Sequence, residues 1–62
     1  MTPEEIKDIR TRLGRTQKQF ASILETTTMT VNRWENGRVY PMPVYLKRLE
    51  KLKAYVDARE GK

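Results

Sequence analysis

The strongest constraint on this chain is the shortness of one link. Two stretches carry apolar residues at helical spacing: Phe20, Ala21, Ile23 and Leu24, then Val31 and Trp34. Only Glu25, Thr26 and Thr27 separate the helices they predict, at 17–24 and 28–36. A link this short cannot let two helices lie antiparallel, so they must cross steeply. A steep crossing brings two backbones close and needs a small residue at the contact. Ala21 sits mid-helix where that contact falls, and Val31 packs back into the same corner.

Local signals frame these two helices and add two more. Thr16 and Gln19 form a capping box, in which each side chain bonds the other's backbone N–H. Thr27 is the N-cap of the second helix, which Asn36 and Gly37 close. Upstream, Thr2, Pro3 and Glu5 make an N-cap, a proline at the first helical position and a second capping box. Ile6, Ile9 and Leu13 follow at helical spacing and Gly14 is free to turn left-handed, which predicts a helix over 3–13. Residues 38–43 hold two prolines and read as a loop. A last helix is expected over 44–58, with Leu46, Leu49, Leu52 and Val56 along one side. Glu60, Gly61 and Lys62 should fray. The fold class is all-α, as one domain over 1–62.

Composition narrows the chemistry. A chain of 62 residues buries only about 60% of its unfolded surface, so the core is thin. Absence of Cys excludes disulfides and thiolate metal sites, and absence of His removes the usual zinc ligand and the usual general base. There is no nucleophile–base set, no acidic pair placed in a pocket and no phosphate-cradling glycine loop. The expectation is a binding protein, not an enzyme, with no metal and no cofactor. Lys and Arg total 13 against 8 Asp and Glu, and the net charge of +5 favours a polyanionic partner. The N-terminus lacks the basic-then-apolar order of a signal peptide, and no apolar run approaches the roughly 20 residues of a membrane span. A cytoplasmic location and no membrane partner are expected.

The run from Thr16 to Leu24, then Thr27 and Val31, then Arg33, Trp34, Glu35, Asn36 and Gly37 resembles the phage-repressor and Cro-type (xenobiotic-response-element-type) helix-turn-helix family. The matching positions include Leu13 and Gly14 before the motif, Gln17 opening the second helix, the Ala21 and Val31 pair, and the ending Trp34, Glu35, Gly37. The resemblance covers about residues 2–52 and implies a small repressor-like domain of four to five helices. Helix 28–36 would then be the recognition helix, its first half against base edges in the major groove. The outward residues suit that place: Asn32 can bond adenine through both amide atoms, Arg33 guanine or a phosphate, and the methyls of Thr28 and Met29 can touch thymine. These four are the expected base contacts. The bland alternative for the threonines is a capped, solvated helix start.

Gln17, at a helix N-terminus that favours anions, takes a phosphate contact by the same resemblance. Asn36 and Arg38 correspond to a second backbone clamp, with Thr27, Arg15 and Lys18 as further phosphate contacts. The resemblance also pairs Arg10 with Glu35 inside the fold and keeps Trp34 in the core. One position departs: the family's interhelical turn usually holds Gly where this chain has Glu25. A left-handed Glu25 costs on the order of 1 kcal/mol.

Between residues 15 and 38, Arg15, Lys18, Arg33 and Arg38 stand against Glu25 and Glu35, and four cations less two carboxylates leave +2. That modest charge leans towards a homodimer on double-stranded DNA. The last helix has apolar surface in excess, and Tyr45, Leu49, Leu52 and Val56 follow a 4-3-4 spacing. Leu52, Tyr55 and Val56 are therefore expected at a dimer interface; the alternative is a fourth core helix with half-exposed aromatic edges. The expected function is a sequence-specific transcriptional regulator, a repressor. The rival is an antitoxin-like or other protein-interaction module whose last helix binds a partner protein. RNA binding is disfavoured because Tyr40, Tyr45 and Tyr55, the aromatics available for stacking, lie off the recognition face.

Overall fold

The computed structural model describes residues 1–60. Four helices and no strand form among the described residues: α1 Pro3–Arg12, α2 Gln17–Leu24, α3 Thr28–Glu35 and α4 Pro43–Glu60. None is long and apolar enough to cross a membrane.

The expected caps form as hydrogen bonds. Thr2 Oγ1 accepts from the Glu5 N–H at 3.1 Å while Glu5 Oε1 accepts from the Thr2 N–H at 2.8 Å. Thr16 and Gln19 repeat the exchange at 3.1 and 3.0 Å, and Thr27 Oγ1 accepts from the Thr30 N–H at 3.1 Å. Each such cap contributes about 1 kcal/mol.

The C-terminal ends of α1, α2 and α3 share one solution, a Schellman pair of hydrogen bonds closed by a left-handed residue. At α1, the N–H groups of Gly14 and Arg15 bond Thr11 and Arg10 carbonyls; at α3, those of Gly37 and Arg38 bond Trp34 and Arg33. Gly14 and Gly37 have φ of 69° and 71°. At α2 the left-handed residue is Glu25, with φ 60° and ψ 45°. The short link therefore turns as a glycine turn does, with a side chain in place.

The core joins all four helices: Ile6 and Ile9 of α1, Phe20, Ala21 and Leu24 of α2, Val31 and Trp34 of α3, and Leu49 of α4. Ala21 and Val31 are both buried, as the steep crossing requires. Trp34 stacks obliquely on Tyr45, ring centroids 5.4 Å apart. No polar or charged residue is buried among the described residues.

α4 differs from expectation at both ends. It begins at Pro43, since a first-turn position needs no N–H from proline, and it continues to Glu60. Its last turn is held to α1: Arg12 pairs with Asp57 and Glu60, each at 3.0 Å, and with Asp8 at 3.3 Å. Arg59 Nη2 also donates to the Arg12 carbonyl at 2.9 Å. Glu60 is thus helical and paired rather than frayed, while Gly61 and Lys62 lie outside the described residues. The seam reading of α4 also needs a correction. Val56 is 0% exposed inside its own chain, so it has no surface to give a second subunit. Leu52 packs partly against the core, and Tyr55, 56% exposed, is the member of the expected set that faces outward.

Candidate nucleic-acid interface

α3 is short enough that two side chains anchor it. Val31 and Trp34 face the core, which leaves Thr28, Met29, Asn32 and Arg33 exposed on the opposite side. The four side chains expected at bases therefore share one outward face, and Met29 is 62% exposed. Thr27 and Thr30 are engaged with each other: their hydroxyls lie 2.8 Å apart while Thr27 also caps the helix.

The groups expected at phosphates flank that face. Gln17 opens α2 beside its free N-terminal N–H groups. Asn36 and Arg38 follow the end of α3, and Arg15 and Lys18 bracket the start of α2; all four are exposed. The Gly37 turn aims Arg38 and lies against α1, for a Cβ at Gly37 would come 3.5 Å from Pro3 Cγ.

Arg10 and Glu35 form the internal ion pair. Arg10 Nε donates to Glu35 Oε2 at 2.7 Å and Nη2 to Oε1 at 3.0 Å, with side chains only 14% and 4% exposed. The hydrogen bond to Glu35 holds the Arg10 guanidinium above its usual range, against the opposing effect of partial burial. Arg10 Nη1 reaches further, to the Arg15 carbonyl at 3.0 Å. One side chain of α1 thus ties both α3 and the turn that leads into α2.

Sequence reasoning placed Gln17 and Asn32 separately, one at a phosphate and one at a base. Folding brings them together. Gln17 Nε2 donates to Glu35 Oε1 at 3.0 Å, Asn32 Nδ2 donates to Gln17 Oε1 at 3.4 Å, and Asn36 Nδ2 donates to Asn32 Oδ1 at 3.1 Å. The spacing of Asn32 and Asn36, one helical turn, was the only part of this series visible in the sequence.

A second feature went unread. The segment after α3 leaves Val39, Tyr40, Met42 and Val44 exposed by 48, 60, 64 and 48%. Tyr40 is fixed at one edge by the N-terminal amine, which donates to its hydroxyl at 2.9 Å.

Comparison with known proteins follows the same outline. A helix-turn-helix family model matches residues 6–52, from the first core isoleucine to Leu52. The type II methyltransferase M.MspI of Moraxella sp. is 41% identical over 61 residues, a match that takes in 97% of this chain. The chain spans only 15% of the length of that relative. No solved structure matches the chain.

Proposed function

The chain belongs to the Cro/C1-type helix-turn-helix family, and from that premise we propose that it is a sequence-specific regulator of transcription that represses by occupying duplex DNA. The observation that carries the reading is the two-sidedness of α3: Val31 and Trp34 enclosed, Thr28, Met29 and Arg33 free on the far face. A helix braced in this way fits the major groove, where an arginine can bond guanine and methyl groups can meet thymine. Gln17, Thr27, Asn36 and Arg38, with the cations Arg15 and Lys18, set the register on the phosphates. A net of +2 over this region supports only modest attraction, so two copies act on two half-sites about 10–10.5 base pairs apart. The chain acts by binding and carries out no chemistry of its own.

The similarity to M.MspI favours a second reading, in which a domain of this kind is the DNA-docking segment of a longer methyltransferase. Both readings use the same face of α3.

Selection of bound duplexes from a random pool tests the proposal. Recovery of a defined half-site, repeated at about one helical turn, is the expected result. No enrichment of any duplex at low salt would overturn it. A single half-site with no repeat would favour the docking-segment reading over the dimeric repressor.

A further inference from the structure

The amide series at the interface begins at a group that can only accept. The Glu35 carboxylate has no proton to give, and donors meet both of its oxygens: Arg10 Nε at Oε2, Arg10 Nη2 and Gln17 Nε2 at Oε1. Gln17 must therefore turn its NH2 inward and its carbonyl oxygen outward. Asn32 meets that oxygen with its own NH2 at 3.4 Å, which leaves Asn32 Oδ1 to accept from Asn36 Nδ2 at 3.1 Å. One carboxylate, its side chain only 4% exposed, thus orients three amides in sequence, each donating back towards Glu35.

The count of hydrogens gives the series a direction. Every amide NH2 has two N–H bonds and the series uses one from each. Gln17, Asn32 and Asn36 keep a spare N–H apiece, while the oxygens of Gln17 and Asn32 each already accept one hydrogen bond within the chain. Towards solvent the series offers these three N–H donors beside one acceptor, Asn36 Oδ1, that the series does not use, and a phosphodiester oxygen is an acceptor. Pairing with adenine makes the opposite demand on Asn32, since it needs the amide's N–H and its oxygen together. Asn32 already spends one N–H and its oxygen on bonds within the chain, so pairing with adenine has to compete with those bonds.

We propose that Asn32 is a positioning residue of the DNA interface and not a reader of adenine. It passes the orientation set by Glu35 from Gln17 to Asn36, so that amides at the start of α2 and the end of α3 close on the phosphodiester backbone together. Choice of sequence stays with Thr28, Met29 and Arg33. The proposal rests on the DNA-binding reading above and adds the division of labour within it.

The test titrates the duplex recovered from the random pool, and each of its single-base variants, with the wild type, Asn32→Ala, Asn36→Ala and the double variant. Asn32→Ala should weaken every duplex by one shared factor of about fivefold, the scale of one neutral hydrogen bond. The double variant should lose less than the product of the two single losses, because either substitution breaks the same series. A loss confined to one base pair, or losses that multiply in full, overturns the proposal.

The DNA-free protein supplies an independent readout. In Asn32→Ala the side-chain NH2 resonances of Gln17 and Asn36 should both move towards those of solvated amides while the backbone spectrum stays folded. Unmoved resonances overturn the series itself. If the wild type retains no duplex, the DNA reading falls and the role of Asn32 with it; the resonances then show separately whether the hydrogen-bond series exists.

Discussion

Arg48 of α4 donates from Nη1 to the carbonyl oxygen of Leu24 at 2.8 Å, at the point where α2 ends in a left-handed glutamate. Its Nη2 stands 3.3 Å from the Glu25 carboxylate, and its guanidinium lies over the Tyr45 ring, 5.7 Å from the centroid. The turn between α2 and α3 sets the angle at which the outward face of α3 is presented. In this chain that turn has a brace from α4, as the glycine-closed end of α1 has from Arg59.

Replacement of Glu25 by Gly should therefore stabilise the fold by about 1 kcal/mol, because the left-handed strain goes. The exposed ion pair lost with it is worth less than that. Arg48→Ala should destabilise by about 1–2 kcal/mol through the lost charged hydrogen bond to Leu24. Urea denaturation measures both, and a glycine variant weaker than its parent would show that Glu25 carries no strain.

The Arg10–Glu35 pair predicts a larger effect. Removal of either partner leaves a mostly buried charge uncompensated, at about 3–5 kcal/mol. A core of this size seldom supplies more than about 3–5 kcal/mol in total, so Arg10→Ala or Glu35→Ala should leave the chain largely unfolded by circular dichroism at room temperature. The joint replacement Arg10→Met with Glu35→Leu should recover much of the helix signal. DNA binding should stay impaired in it, since Gln17 has lost the acceptor that orients it. Full binding by the joint variant would detach the pair from function.

Acid should loosen the fold through α1 and α4. A hydrogen bond from Lys53, then one from Arg12, holds the Asp57 carboxyl below its usual range, and the backbone N–H of Thr2 does the same for Glu5. A carboxyl that is easier to ionise in the folded chain stabilises it above the ordinary carboxylate range, and that contribution disappears as pH falls through the lowered value. Thermal stability should be level near neutrality and decline below about pH 4. Both groups are exposed, so each effect is small. Asp57→Asn should flatten part of the decline; melting curves for the two proteins that stay parallel down to acid pH would remove Asp57 from it.

Arg38 predicts a change in salt dependence. Its exposed guanidinium follows the turn that closes α3. Arg38→Ala should weaken all duplexes alike and reduce the slope of log affinity against log salt by about 1, as one phosphate contact fewer. An unchanged slope would place Arg38 off the backbone.

Much of the fold was legible because its signals are local. Thr2 with Glu5 and Thr16 with Gln19 lie within one turn of each other, and Gly14 and Gly37 sit where a left-handed residue must follow a helix. The face of α3 could be read from Val31 and Trp34 alone, three residues apart on a helix. The Arg10–Glu35 pair was of another kind: it came from resemblance to a family, since nothing local links residues 25 apart.

By itself, then, the sequence determined where the first three helices begin and end to within one residue and which side of α3 looks outward, since caps and periodicity act over three or four residues. Only the tertiary structure decided that Val56 is enclosed while Tyr55 is free, and that Asn32 is held between Gln17 and Asn36. A helical period sorts side chains into strips but does not say which strip another helix will cover. An amide's partners are whichever groups packing brings within about 3 Å, and that distance exists only once α1, α2 and α3 have met.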